Sequence, residues 1–425
     1  SEAPATIIYT SRTLGRPKGV TLSHRNILEN AWQAAKCLGV RQNDLFLSFL
    51  SPSHALERTV GYYLPMVAGA TIAYVRSVQS LNSDLNALNP TAIVAVPRIY
   101  ERFYMRIQSN VKERSKLFQR LFAKTVSLGW QVFEYQQKRG KWQIVFLLWP
   151  FFKYFIARPL LTKHLGGHLR IAISGGARLN PEVARFLVSL GVPVLQGYGL
   201  TETSPIISVN TLQDNLPASV GRPLPNLEVR IGDQDELQVR GPSIMLGYWN
   251  NTAATAQILD AEGWLYTGDQ VHFQDGHIVI TGRLKEIIAL TNGEKVPPAD
   301  MEIAIGTDPL FEQVIVIGES KPYLSALVVL NATAWATLAQ VHGLPEDPKF
   351  AVDNAQVEKL LLRRVSELLH DFPGYAQVRR LAVLNDSWNL EEDLLSKTLK
   401  LRRKLVLERF KHVIELLYKG HSLQI

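Results

Sequence analysis

Short apolar runs alternate with longer amphipathic stretches through the first half of the chain. Residues 5–10 are β-rich and run into a loop of Gly, Ser, Thr and Lys. Residues 45–50, 92–96, 169–174 and 192–196 are further apolar runs of strand length. After Pro97, the residues Tyr100, Phe103, Tyr104, Ile107 and Val111 recur at helical spacing. Asn180 before Pro181 and Glu182 reads as an N-cap, a first-turn proline and a first-turn acid. Strand, helix, strand in this order predicts an α/β fold with a mostly parallel sheet covered by helices, the 5–10 strand opening the series.

Past about Val220 the period changes. Residues 227–231 and 236–240 are short strands, and 271–273 with 277–280 flank Gln274-Asp275-Gly276, a hairpin signal. A β-rich subdomain over about 219–282 is therefore expected. From 284 to 425 a smaller α+β unit follows, with strands at 313–317 and 326–330 and helices at 357–369 and 401–417. Residues 59–75 hold no charge for 17 positions, but Gly61, Pro65 and Gly69 interrupt them. They read as a buried helix, a Gly-Ala turn and a strand.

Residues 144–152 form a nine-residue apolar run, too short to span a bilayer. Lys141, Lys153 and Arg158 flank it, with Trp142, Tyr154 and Phe155 nearby. Two readings stand: a segment lying in a bilayer interface, anchored by Trp149 and Phe152, or the end of a core helix. Charge sharpens the first. Residues 97–170 hold 15 basic and 3 acidic residues, a net of 15 − 3 = +12, while the whole chain is 46 − 38 = +8. Such a segment faces an anionic partner or is a solvated helical face. No nucleic-acid recognition motif accompanies the charge, so no nucleic-acid partner is expected.

Apolar residues at 46% and charged residues at 20% exclude a disordered, collagen-like or coiled-coil chain. The single cysteine, Cys37, excludes a disulfide framework and a thiolate metal cluster, and points to a reducing compartment. No charged-then-apolar leader follows Ser1, so a cytoplasmic chain beginning inside a longer protein is the expectation.

Three loops carry candidate chemistry. Residues 9–19 read YTSRTLGRPKG: backbone N–H groups and hydroxyls suited to phosphate oxygens, with Lys18 to neutralise charge. The glycine spacing is not that of a Walker loop, and a surface turn is the alternative. Residues 196–203 read QGYGLTET, where Thr201 and Glu202 supply a hydroxyl and a hard carboxylate fit for Mg²⁺ shared with phosphate. Ser174-Gly175-Gly176-Ala177 ends another strand, where open α/β sheets bind ligands.

Taken in order, YTSRTLGRPKG, SGGA, QGYGLTET, YTGD at 266–269 and GRLKEIIALTNGEKV at 282–296 resemble the AMP-forming acyl-CoA synthetases of the adenylate-forming superfamily. LSFLSPSHALERTVGYYLP and GGARLNPEVARFL are most similar to bacterial long-chain fatty acid–CoA ligases. The resemblance covers essentially the whole chain. It implies a ligase of fatty acid metabolism using ATP, Mg²⁺ and CoA, peripheral on the inner membrane face. Residues 1–283 would be the C-terminal portion of the large adenylation domain, and 284–425 a small mobile domain. Thr10, Ser11, Thr13, Gly15 and Lys18 would hold the ATP phosphates. Gly175, Gly176 and Tyr198 would frame adenine, with Ala177 also binding ATP, and Glu202, beside Thr201, would bind Mg²⁺. Asp269 would hold the ribose hydroxyls with Arg283 beside it. His54 matches the residue next to the acyl carboxylate, Lys285 the hinge, and Lys400 the lysine that serves adenylation.

Three departures open a second reading, an impaired relative that keeps nucleotide or membrane binding; loading of an acyl-carrier protein instead of CoA is a further variant. The phosphate loop reads Ser11-Arg12-Thr13-Leu14-Gly15 where the family has Ser-Gly-Thr-Thr-Gly. Ser396-Lys397-Thr398 stands for the usual Thr-Pro-Thr, and the chain starts nine residues before Thr10. Losing a hydroxyl bond to a charged phosphate costs about 1.5–3 kcal/mol. With the backbone cost of a non-glycine residue at position 12 added, restoring the loop with Arg12→Gly and Leu14→Thr in an N-terminally complete protein is expected to raise pyrophosphate release by roughly a hundredfold or more. A fall in rate would instead make Arg12 a phosphate ligand.

Overall fold

The strands buried on both faces define where the core forms. Ala92–Ala95 and Ile171–Ser174 are buried at every position, as strands covered by helices on two sides must be. The computed structural model describes residues 1–10, 17–77, 80–284, 286–347, 354–384, 388, 394 and 401–419, with the side chains of 163 and 164 excepted.

A seven-stranded sheet runs Thr71–Tyr74, Leu45–Ser48, Ala92–Ala95, Ile171–Ser174, Val194–Gly199, Ile206–Val209, Arg222–Pro223. Its first five strands are parallel to their neighbours, and the last two turn antiparallel. The uncharged stretch folds as expected: helical turns over Glu57–Tyr63 and Leu64–Ala68, a turn at Gly69, then the Thr71–Tyr74 edge strand.

The first strand is the exception. Pro4–Thr10 does not join the parallel sheet but pairs antiparallel with Lys18–Ser23, and Gly247–Tyr248 completes a three-stranded sheet. The reason is connection length. The seven residues 11–17 can close a hairpin, whereas a parallel crossover needs a dozen or more. Ser23 then caps the His24–Leu38 helix, its hydroxyl accepting from the Asn26 N–H while the Asn26 side chain accepts from the Ser23 N–H.

The β-rich part forms a four-stranded sheet of Glu228–Ile231, Glu236–Arg240, Leu265–Gln274 and His277–Arg283. Asp275 (φ 52°) and Gly276 (φ 80°) are both left-handed, the geometry a two-residue hairpin loop demands. By packing, the chain divides into two units: Ser1–Thr267 with Val271–Ile280, and Gly268–Gln270 with Thr281–Ile425. The second unit has its own core, with a fully buried Trp335 under the sheet Phe311–Ile317, Leu324–Leu330, Val378–Leu384. Its last amphipathic stretch is two helices, Arg403–Arg409 and Lys411–Leu417, rather than one, because Phe410 leaves helical geometry (φ −97°, ψ 19°).

One buried carboxylate ties the N-terminal ends of the parallel strands together. Asp44 accepts from the Arg41 N–H at 2.7 Å, from Thr91 Oγ1 at 2.8 Å and from Arg170 Nε at 3.0 Å. Arg170 reaches it from the start of the Ile171–Ser174 strand, and the Thr71 N–H donates to the Asp44 carbonyl at 3.0 Å. Burial opposes the charge on Asp44, but the hydrogen bonds from Arg170, Arg41 and Thr91 outweigh it and hold the carboxyl below the usual range. Asp44→Ala should therefore cost about 3–5 kcal/mol in urea unfolding, because it strands the Arg170 charge. A depressed carboxyl contributes stability above its unfolded value of 3.8, lost as pH falls below it. The variant should lose that acid dependence; a loss under about 0.5 kcal/mol would contradict the role.

Candidate functional site

The hairpin that overturned the first strand assignment also positions the candidate phosphate loop. Thr10 and Lys18 stand opposite each other at its mouth, and Thr10 Oγ1 donates to the Lys18 carbonyl at 3.4 Å. Ser11, Thr13 and Gly15, with Arg12 and Leu14, lie outside the described residues. Lys18 Nζ sits 4.7 Å from the centre of the Tyr248 ring, a cation–π contact. Tyr248 is there because the Gly247–Tyr248 strand pairs with Lys18–Ser23.

Tyr248 in turn donates its hydroxyl to Glu202 Oε1 at 2.7 Å. The loop lysine and the candidate metal carboxylate are thus brought to one ring, a residue the motif reading missed. Its signal was present: Tyr248 follows Gly247 in a short strand-like Gly-Tyr-Trp, but nothing local says which strand it pairs with.

Thr201 and Glu202 begin a single helical turn, Thr201–Thr203, which buried polar groups grip from outside. Asn30, fully buried, donates to the Thr203 carbonyl at 3.2 Å and the Ile206 carbonyl at 2.7 Å, and accepts from the Ile206 N–H at 3.1 Å. Thr59 Oγ1 donates to the Ser204 carbonyl at 3.0 Å, and Ser204 Oγ to the Ser243 carbonyl at 2.8 Å. Each group is satisfied only in this arrangement, which fixes the carboxylate.

The donor set suits magnesium of the kind that borrows substrate oxygens: one carboxylate, one hydroxyl, and phosphates and water for the remainder. Among the described residues there is no cluster of three or more His, Cys, Asp or Glu fit for an all-protein metal cage.

Gly175, Gly176 and Ala177 follow the Ile171–Ser174 strand, and Tyr198 stands on the neighbouring Val194–Gly199 strand. Gln196 holds the two together, accepting from the Leu179 N–H at 3.2 Å and donating to the Pro217 carbonyl. The Leu56 side chain lies against Gly175, 3.1 Å from where a Cβ would stand, so the His54 segment borders this loop. His54 Nδ1 accepts from the Leu56 N–H at 3.2 Å, which leaves the neutral ring's proton on Nε2.

Three residues on, Glu57 is 1% exposed. Ser48 donates to its Oε1, while Oε2 has no hydrogen-bond partner. Burial, only partly opposed by the Ser48 bond, pushes its carboxyl up to about 7. A Cβ at Gly61 would lie 2.3 Å from Glu57 Oε1, so the carboxyl occupies the space a side chain would need. Sequence reading missed Glu57 because a glutamate at the start of a helix looks like an ordinary first-turn acid.

Asp269 and Arg283 belong to the second unit and to each other. Arg283 grips the carboxylate from two nitrogens, Nε at 2.6 Å and a terminal nitrogen at 3.3 Å, and Asp269 is 3% exposed. Lys285 and Lys400 lie outside the described residues.

Two family models cover this architecture: AMP-binding enzyme over residues 1–249 and AMP-binding enzyme C-terminal domain over residues 285–422. The chain belongs to the AMP-binding enzyme family. It is 31% identical to the chloroplastic long-chain-fatty-acid–[acyl-carrier-protein] ligase AEE15 of Arabidopsis thaliana, over 98% of this chain and 62% of that one. It is also 31% identical to the long-chain-fatty-acid–CoA ligase FadD15 of Mycobacterium bovis, over 98% of this chain and 70% of that one. The chain spans 61–63% of the length of the plant relatives it matches. Its fold is that of the A domain of the carboxylic acid reductase from Segniliparus rugosus, solved with AMP and a co-purified carboxylic acid. The two superpose with a TM-score of 0.75 at 24% identity, over 99% of this chain and 62% of that one.

The Glu57 environment makes a pH prediction. In the unfolded chain the carboxyl titrates near 4.5 and in the folded protein near 7, so between these values the folded state binds the extra proton. Stability therefore falls as pH rises through this window, by about 3 kcal/mol in all. Glu57→Gln should flatten the decline between about pH 5 and about pH 8 in urea unfolding. An unchanged slope would mean another group titrates.

Proposed function

We propose that the protein activates long-chain fatty acids with ATP and passes the acyl group to CoA. The observation that carries this reading is the convergence of Lys18, Tyr248 and Glu202, set beside relatives named for that chemistry over nearly the whole chain. The fatty-acid carboxylate attacks the α-phosphorus of ATP, the bond to pyrophosphate breaks, and an acyl-adenylate forms. The CoA thiol then attacks the acyl carbonyl and AMP leaves, so no protein nucleophile is needed.

Each residue has a task matched to its surroundings. Lys18 and the hydroxyls of Thr10, Ser11 and Thr13 neutralise and orient the leaving phosphates, with Gly15 completing the loop. Gly175, Gly176, Ala177 and Tyr198 border adenine. Asp269 has two oxygens and about four acceptor sites, so it can accept from ribose hydroxyls while Arg283 holds it. His54 presents its Nε2 proton to the acyl carboxylate. Glu202, with Thr201, would hold Mg²⁺, which when bound supplies charge neutralisation on the phosphates. Tyr248 holds that carboxylate through its hydroxyl while its ring meets Lys18.

Transfer to an acyl-carrier protein is the second reading, favoured by the likeness to the plant ligase named for that acceptor. Supplying CoA and acyl-carrier protein in parallel and measuring thioester on each separates them.

Fatty-acid-dependent release of pyrophosphate from ATP tests the first step. Lys400→Ala should abolish it, yet spare thioester formation from supplied acyl-adenylate, because the family resemblance assigns that lysine to adenylation alone. Loss of both steps together, in a folded protein, would count against the assignment.

A further inference from the structure

Residues 135–181 contain eight basic residues and no acidic one. The whole chain is 46 − 38 = +8, so outside this stretch 38 basic residues balance 38 acidic ones. Within it runs the helical segment Ile144–Thr162, apolar enough along its length to enter a membrane yet only 17% buried.

The exposure is one-sided. Ile144, Leu147, Leu148, Phe151, Tyr154 and Phe155 are each 52–75% exposed. Their spacing of three and four residues places them on one helical face. The opposite face is engaged: Ile156 and Ala157 are buried, and Trp149 reaches Gly129 on the Lys116–Gln136 helix, 2.7 Å from where a Cβ would stand. Trp149 and Phe152, which the sequence put forward as anchors, are partly covered, so Phe151 and Phe155 take that role. Because its inner face stays on the protein, the segment cannot cross a bilayer. It can only lie along one, presenting about 28 Å of helix.

Cations border the apolar face. Arg158 stacks over the Tyr154 ring at 5.5 Å, Lys153 runs its stem beside Gly191, and Lys141 and Trp142 stand exposed at the segment's start. Arg158, Asn86 and Thr162 line an open depression of about 630 Å³ against Tyr154 and Phe155, polar on one side and apolar on the other. A covering polypeptide would have to bury the aromatics and balance the cations at once. A lipid interface does both with its acyl boundary and its phosphates.

We propose that the outer face of Ile144–Thr162 docks in the plane of an anionic phospholipid surface, with the Arg158 depression receiving a headgroup phosphate. Binding to lipid is independent of ATP turnover, so this proposal stands or falls apart from the catalytic one. The probe is flotation with vesicles of phosphatidylglycerol and phosphatidylcholine, against phosphatidylcholine alone, at low and high salt. Expected is capture by the anionic vesicles only, released by salt. Each basic residue near such a surface contributes about fivefold in partitioning, so the triple change Lys141→Ala, Lys153→Ala, Arg158→Ala should weaken capture by on the order of a hundredfold. The change Leu147→Asp, Phe151→Asp, Phe155→Asp should abolish capture at either salt. All three positions are exposed, and unchanged far-UV circular dichroism and melting temperature verify the fold. Salt-independent capture by neutral vesicles, no capture of the folded protein, or aspartate variants that alter only the oligomeric state would each overturn the proposal.

Discussion

A buried polar group left without a partner costs more than most single contacts contribute, and both ends of the parallel sheet are organised around that constraint. At the N-terminal ends of the strands, Asp44 gathers Arg41, Thr91 and Arg170 and so registers neighbouring strands. At the other end, Asn30 and Thr59 grip the turn that carries Glu202. The end that carries the candidate site can then be loop-built without being loose, because the loops are held by side chains from helices and strands whose own positions the core decides.

Much of the fold was legible from periodicity alone, because strands buried on both faces read as plain apolar runs and the helices between them announce their caps. Asn180 accepts from the Glu182 N–H at 2.8 Å, as its place before Pro181 predicts. What periodicity cannot carry is partnership between segments far apart. Pro4–Thr10 looks like the first strand of a parallel series and is not, since only the length of the next connection decides its pairing. Tyr248 lies 46 residues from Glu202, and no local signal joins them.

The site divides the same way. Order of motifs singled out Lys18, Glu202 and the Gly175-Gly176 loop; the structure places Lys18 at the start of a strand and the other two just after strands. It missed Glu57, whose importance is environmental: the same residue type at a helix start is normally solvated, and here Ser48 and Gly61 enclose it. It also misjudged which aromatics of 144–162 face outward. Trp149 and Phe151 are equally apolar in sequence, and only the packing of the Lys116–Gln136 helix distinguishes them.

The acid-free stretch has an electrical consequence. With eight basic and no acidic residues in 47 of its 425 positions, the chain carries its charge unevenly rather than as a uniform cation. In the field above a charged wall the pull falls on that stretch before it falls on the rest of the chain. Its isoelectric point near 9.4 therefore describes one segment more than the molecule, and its retention on a cation exchanger should report orientation as much as net charge.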